Sequence, residues 1–314
     1  MCSRDLPVLK RRERQREHRL GADAAARAAL GNDGEAIKPN WWILGGSLLF
    51  AVISLGAGVS KLRFGEEIVF IASFAVITFL MFRLLRELDD ESRRTLLGTA
   101  IVVFAYRATP GPGAGSTWWM IDVLGFDQSF LSKLSLLTSV LALCGLFGFR
   151  RFMGERSITY LVGFLTIVGT LLSLPTLGMY YGLHEWTAAH SGGIVDARFI
   201  ALVDSALESP LEQVAMVPML AWIANSAPSK LKATYFAVMA SFSNLALSAS
   251  QLGTKYLNHG FEVAREARDP LTQVVTTAAD YSQLGLLLLV SMLLGLLLPF
   301  AAIWVTRACK LHSA

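Results

Sequence analysis

The chain has 314 residues, of which 54% are hydrophobic and 17% charged, with a mean hydropathy of +0.49. Soluble domains carry roughly 25% charged residues, so this balance excludes an ordinary soluble enzyme and points to a bilayer. The net charge of +4 does not indicate nucleic acid as a partner, because the basic residues fall mainly between apolar runs. Cys2, Cys144 and Cys309 offer neither a disulfide framework nor metal-ligand spacing.

Residues 1–39 read as a basic, solvated tail. Almost forty residues separate Met1 from the first apolar run, so this segment is not patterned as a signal peptide. Residues 9–30 have the composition of a charged surface helix, and 31–39 that of a linker.

Hydropathy then predicts about eight transmembrane helices, at roughly 20 residues per crossing. They lie near 41–60, 66–84, 95–122, 128–148, 158–180, 197–224, 231–256 and 281–306. The predicted fold class is all-α and polytopic. The tail, 83–94, 149–157, 225–233 and the terminal TRACK carry most of the Lys and Arg. The positive-inside rule therefore predicts both termini in the cytoplasm, which an even number of spans also requires.

The third span is broken by composition. Arg107 is followed by Pro110, Gly111, Pro112, Gly113 and Gly115. Proline removes backbone donors, and non-helical backbone at membrane depth is tolerated only when buried in protein or facing a watery cavity. Arg107 sits about 18 Å into this span, where a guanidinium needs an anion. Glu208, Glu212 and an anionic substrate are the candidates; a permanent salt bridge fixing two helices is the bland reading.

The sixth span carries Asp204, Glu208 and Glu212 at i, i+4, i+8, which places three carboxylates on one helical face. Carboxylates at membrane depth cost roughly 2.5–3.5 kcal/mol each and survive facing a bundle interior or a cavity. Three so close cannot all stay ionised cheaply, so this face is expected to exchange a proton during function. The alternative is a structural polar network between helices. In the seventh span Ser241, Asn244, Ser248 and Gln251 share a face suited either to cavity lining or to interhelical packing. The sequence shows no catalytic set, no cofactor motif and no metal-ligand cluster, so an enzyme is not expected.

Four segments together resemble the folate–biopterin transporters, a family within the major facilitator superfamily. They are Pro110–Gly115, Leu124–Phe126, Gln213–Pro218 and Ala233–Leu245, the last (ATYFAVMASFSNL) being the most specific. The resemblance covers roughly 95–256 and implies a partial facilitator-type bundle. It divides the chain into the tail 1–39, two helices ending a first half (40–84), an interhalf loop (85–94), a six-helix bundle (95–307) and a cytoplasmic end (308–314). It also implies secondary transport of a small anionic organic solute of folate or pterin type, at a plasma or inner membrane, and the acidic face makes proton-coupled symport the expected form. Arg107, Gln213, Asn244, Ser248 and Gln251 would contact substrate, and Asp204, Glu208 and Glu212 would couple protons. A facilitator has twelve spans, so four are missing. A truncated gene product, an internal start or a separate first-half polypeptide as partner would each account for that, and a degenerate half-transporter without transport activity is the alternative function.

Overall fold

A computed structural model describes residues 41–60, 64–86, 88–226 and 232–311. Within these, the side chains at 42–44, 47, 54, 57–60, 212–213, 215–226 and 232–234 are not described. The tail 1–39 and the side chains of Glu212 and Gln213 therefore lie outside the described residues. The chain divides into two units, Met1–Gly45 and Gly46–Ala314. Of the first, Trp41–Gly45 are described and are helical. The second holds the helical bundle.

The elements in chain order are α1 (Trp41–Ser60), α2 (Gly65–Leu85), α3 (Asp90–Arg107), α4 (Ala114–Asp122), α5 (Gln128–Gly148), α6 (Arg150–Glu155) and α7 (Ile158–Tyr180). They continue as α8 (Leu183–His190), α9 (Ala197–Ser226), α10 (Lys232–Gly260), β1 (Ala267–Arg268), β2 (Val275–Thr277) and α11 (Leu284–Ala308). The architecture is all-α apart from one exposed antiparallel hairpin, in which Arg268 faces Val275. Among the described residues α2, α5, α7 and α11 are long and apolar enough to cross a membrane. At 21–25 residues they reach about 32–38 Å, against a hydrocarbon core of about 30 Å. The molecule is an integral membrane protein.

Polar residues fix where the helices begin. Asp89 accepts the Ser92 amide at 3.0 Å, Asp127 that of Phe130 at 2.7 Å, and Ser157 that of Tyr160 at 3.3 Å. Asp196 likewise accepts from Phe199 at 2.8 Å before α9. Each side chain satisfies a donor that the first helical turn leaves free. The Ser92 amide holds the Asp89 carboxyl below its usual range. This cap starts α3 at Asp90, so half of the charged stretch 85–94 is helical rather than loop. Asp90 and Glu91 then occupy a first turn that favours negative charge. The basic connection 149–157 similarly folds as α6, and 181–196 contains α8.

The helices pack in a continuous series of neighbours. α5 lies on α9, α9 on α7, α7 on α11, α11 on α3, α3 on α10, and α10 on α2. Apolar clusters fill this bundle among the described residues, a small one around Met153, Leu161, Leu165 and Val214 and two larger ones toward its ends. One joins Leu84 and Leu85 of α2 to Leu96 and Val102 of α3, Val162 of α7, Tyr235 of α10 and Ile303 of α11. The other joins Trp119 of α4, Met179 of α7, Ala201 of α9 and Leu284 and Leu287 of α11. Outward faces such as Leu136, Leu143 and Phe147 of α5, or Leu297 and Trp304 of α11, remain exposed. In water such faces would be an aggregation liability; in hydrocarbon they meet their own kind.

Charged contacts gather at the end filled by the second of the larger clusters. Arg265 forks onto Asp122, Nε to Oδ2 at 3.0 Å and Nη2 to Oδ1 at 2.9 Å. Tyr281 donates to the same carboxylate at 2.6 Å, and partial burial with that bond pushes its phenol up to about 12. Arg198 donates to the Gly125 carbonyl at 3.1 Å. Lys255 of α10 meets Glu66 at 2.9 Å and Glu67 at 3.0 Å, at the start of α2. The start of α2 and the connections near 123–127, 181–196 and 257–281 thus share one end of the bundle, as an antiparallel succession of spans requires.

Candidate functional site

The helix break predicted after Arg107 is present, and its backbone is accounted for. α3 ends at Arg107, α4 begins at Ala114, and Thr109–Gly113 run without helix between them. Helix α10 lies alongside and satisfies the freed groups. Ser250 Oγ donates to the Thr109 carbonyl at 2.6 Å, Thr254 Oγ1 accepts the Gly111 amide at 2.9 Å, and Asn258 Nδ2 donates to the Pro112 carbonyl at 3.2 Å. Ser250, Thr254 and Asn258 stand four residues apart, so one edge of α10 presents all three. Gly253, between them, lets Pro110 come close: a Cβ there would lie 3.1 Å from Pro110 Cβ.

On its other side the broken segment forms one wall of a cavity of about 460 Å³. The remaining walls are α7 (Thr166, Gly169, Thr170, Ser173, Thr176), α9 (Asp204, Glu208) and α11 (Leu288, Ser291, Met292, Gly295). The volume lies within the roughly 300–1,000 Å³ of small-molecule sites. The lining belongs mainly to the middle stretches of the helices, between the two larger apolar clusters.

Three lining side chains carry buried polar atoms with no hydrogen-bond partner among the described residues: Thr166 Oγ1, Asp204 Oδ1 and Ser291 Oγ. Thr166 is 3% and Ser291 8% exposed. Unpaired buried polar atoms cost about 1–3 kcal/mol each, so their convergence on one space marks it as a place for a polar occupant. The other carboxylate oxygen of Asp204 accepts from Thr176 Oγ1 at 3.4 Å, which ties α9 to α7. Proline shapes both helices here. Pro175 in α7 and Pro210 in α9 each remove a donor, leaving the carbonyls four residues earlier without their usual helical partner.

The predicted site residues separate into four groups. Asp204 and Glu208 line the cavity, as one acidic face. Arg107 is the last residue of α3, just before the break and beside the lining residue Tyr106; it is half-buried, and its Nε finds no partner among the described residues. Asn244, Ser248 and Gln251, with Ser241, are exposed on α10 and do not line the cavity. Ser248 Oγ bonds within its own helix, to the Asn244 carbonyl at 3.3 Å. Glu212 and Gln213 lie outside the described side chains.

Sequence reasoning missed the hydroxyls of α7 and the latch of α10. Thr166, Thr170, Ser173 and Thr176 recur at i, i+4, i+7, i+10, a spacing that puts them on one face without telling cavity lining from packing. Among the described residues no group of three or more His, Cys, Asp or Glu gathers as a metal site would require.

The fold is a polytopic helical membrane bundle in which a broken segment, four hydroxyl-bearing residues of α7 and two carboxylates border one internal cavity among largely apolar neighbours. Comparison with known proteins gives this bundle a family. Residues 44–312 match the BT1 family, and the chain belongs to it. It is similar to the folate-biopterin transporter of Synechocystis sp., 29% identical over 183 residues, which are 58% of this chain and 36% of that protein. It is also similar to folate transporter 2 of Plasmodium falciparum, 23% identical over 278 residues, 81% of this chain and 56% of that protein. The chain thus spans between about a third and somewhat over half of the length of these relatives. No solved structure matches it.

Proposed function

We propose that the protein takes part in moving a folate-like or pterin-like solute across a membrane by proton-coupled secondary transport. The observation that carries this reading is the cavity itself, with two carboxylates and three polar atoms unpartnered among the described residues, in a chain belonging to a family with folate and biopterin transporters among its relatives. Asp204 and Glu208 sit one turn apart on α9, with Glu212 a turn further in sequence. Such a face stays cheap in a low-dielectric cavity only if it gives up or takes a proton as substrate comes and goes. Arg107, outside the lining but next to it, is placed for a substrate carboxylate or an acidic partner. The exposed Asn244, Ser248 and Gln251 face is available to a first-half polypeptide or to substrate passing along it. The protein acts as a carrier and not as an enzyme.

Reconstitution tests this. The full chain in proteoliposomes, with a first-half polypeptide supplied in a parallel sample, should accumulate labelled folate when an inward proton gradient is imposed. Glu208→Gln should abolish the gradient-driven part while folate exchange persists. Uptake indifferent to the gradient in both samples would remove proton coupling; no uptake in either would favour a non-transporting membrane protein.

The orientation is part of the same proposal: both termini and α6 face the cytoplasm of a plasma or inner membrane, and α8 faces the other side. Cys144 and Cys309 are exposed and must first be replaced, together with Cys2. Gly154→Cys in α6 and Ala189→Cys in α8 are both exposed positions. An impermeant maleimide added to intact cells should label Ala189→Cys at least tenfold faster than Gly154→Cys. Equal labelling would break the map.

A further inference from the structure

The cavity carries a sign that the family resemblance alone would not suggest. Among the described residues its lining includes two carboxylates, Asp204 and Glu208, and no Lys or Arg. A solute carboxylate brought there would meet like charge, which repels strongly where water is scarce. Folate ends in a glutamate tail with two carboxylates, whereas biopterin has none. What the two share is the 2-amino-4-oxopteridine ring. That ring presents two N–H donors side by side, the ring N3–H and the exocyclic 2-amino group. A carboxylate with both oxygens available is the acceptor matched to such a pair, in the same fork geometry by which carboxylates take a guanidinium.

We propose that the cavity is the pteridine-ring subsite, with Asp204 accepting the paired N2 and N3 donors and the folate tail directed out of the cavity. This rests on the folate-type reading given above. The Asp204 carboxylate is oriented by α7, because Thr176 Oγ1 donates to Oδ2 at 3.4 Å, while Oδ1 is buried with no partner among the described residues. Thr166 and Ser291, whose buried hydroxyls have no partner among the described residues, supply donors for the O4 and ring-nitrogen acceptors of the same heterocycle. Gly169 and Gly295 leave the walls low; a Cβ at Gly169 would meet nothing within 4 Å, and one at Gly295 nothing closer than Thr109 Cγ2 at 3.7 Å. A flat ring needs that clearance. Arg107, outside the lining, is the cation left for the tail.

The test is equilibrium binding to the purified full chain in lipid nanodiscs, with four probes: folic acid, biopterin, p-aminobenzoylglutamate and the 2-desamino-2-methyl analogue of folic acid. Biopterin should compete with folate, and p-aminobenzoylglutamate should not. Replacing the 2-amino group by methyl should weaken binding roughly 10–100-fold, the range of a lost charge-assisted hydrogen bond. Asp204→Asn should weaken folate and biopterin by a similar factor, and the analogue much less, so that discrimination collapses. Thr176→Val should weaken both pteridines by a smaller factor. If Asp204→Asn does not fold, the wild-type comparison of folate with its analogue decides the matter alone. Wild type that binds p-aminobenzoylglutamate as well as folate, or folate and the analogue equally, overturns the subsite while leaving folate recognition standing. Wild type that binds neither folate nor biopterin removes the folate-type reading, and the subsite with it.

Discussion

Gly113→Ala should unfold the broken segment, whereas Gly111→Ala, two residues away, should be tolerated. Gly113 has φ +76° and ψ −163°, a region that a residue with a Cβ enters only under strain. That strain costs about 1–3 kcal/mol. The new methyl would also lie 2.7 Å from Asn258 Nδ2 and 3.2 Å from Thr254 Cγ2, two side chains of the latch. Relief would require Asn258 and Thr254 to let go of Pro112 and Gly111. At Gly111 a Cβ meets nothing within 4 Å and the backbone is not left-handed. Thermal unfolding in detergent, read as loss of the monodisperse peak, should show Gly113→Ala melting several degrees lower and binding folate more weakly. Adding Asn258→Ala removes the closest collision but neither the Thr254 contact nor the backbone strain, so it should restore part of the loss at most. Equal behaviour of the two glycine variants would mean that the segment is not held as described.

Much of this segment was legible beforehand, because proline and glycine act on the backbone locally. Pro110, Pro112 and three glycines cannot continue a membrane helix whatever surrounds them. The acidic face was legible for a similar reason: the cost of a carboxylate at depth does not depend on knowing its neighbours. Partners are another matter. On α10 the stripe chosen from sequence, Ser241 to Gln251, and the stripe that grips the break, Ser250, Thr254 and Asn258, lie about 100° apart around the same helix. Spacing identifies a polar face; which face turns inward is decided by how α10 settles between α2 and α3.

The hydroxyls of α7 were hidden for a different physical reason. Ser and Thr in apolar helices routinely satisfy themselves on the preceding turn. Thr170 does so on the Thr166 carbonyl at 2.7 Å, and Ser173 on that of Thr170 at 2.8 Å. Their sequence pattern is therefore that of ordinary membrane packing. What distinguishes Thr166 is the absence of any partner for its own hydroxyl among the described residues, which no sequence displays. The boundary of α3 shows the converse case. The resemblance makes 85–94 a loop between halves, yet Asp89 capping Ser92 starts α3 within it, at Asp90.

Gly145→Leu should be the most damaging single change in the bundle outside the cavity. Gly145 is buried on α5 against the backbone of Pro210 in α9, and a Cβ there would fall inside van der Waals contact with the Pro210 Cα and carbonyl. A clash with a flexible side chain can be absorbed by a rotamer change; a clash with backbone moves a helix. Overpacking typically costs about 1–3 kcal/mol, and here the displaced element has no rotamer to yield. The element displaced is α9, which carries Asp204 and Glu208 within two turns of Pro210. Gly145→Ala should thus be a graded version of the same lesion: a protein that still folds, but in which α9 stands off from α5 and the Thr176–Asp204 contact is disturbed. Gly148, three residues on, is exposed and a Cβ there meets nothing within 4 Å, so Gly148→Leu provides the control on the same helix. Fluorescence-detected size exclusion should show little folded Gly145→Leu, near-normal Gly148→Leu, and folded Gly145→Ala with folate affinity reduced several-fold. Folded, fully binding Gly145→Leu would show that α5 does not set the position of the acidic face.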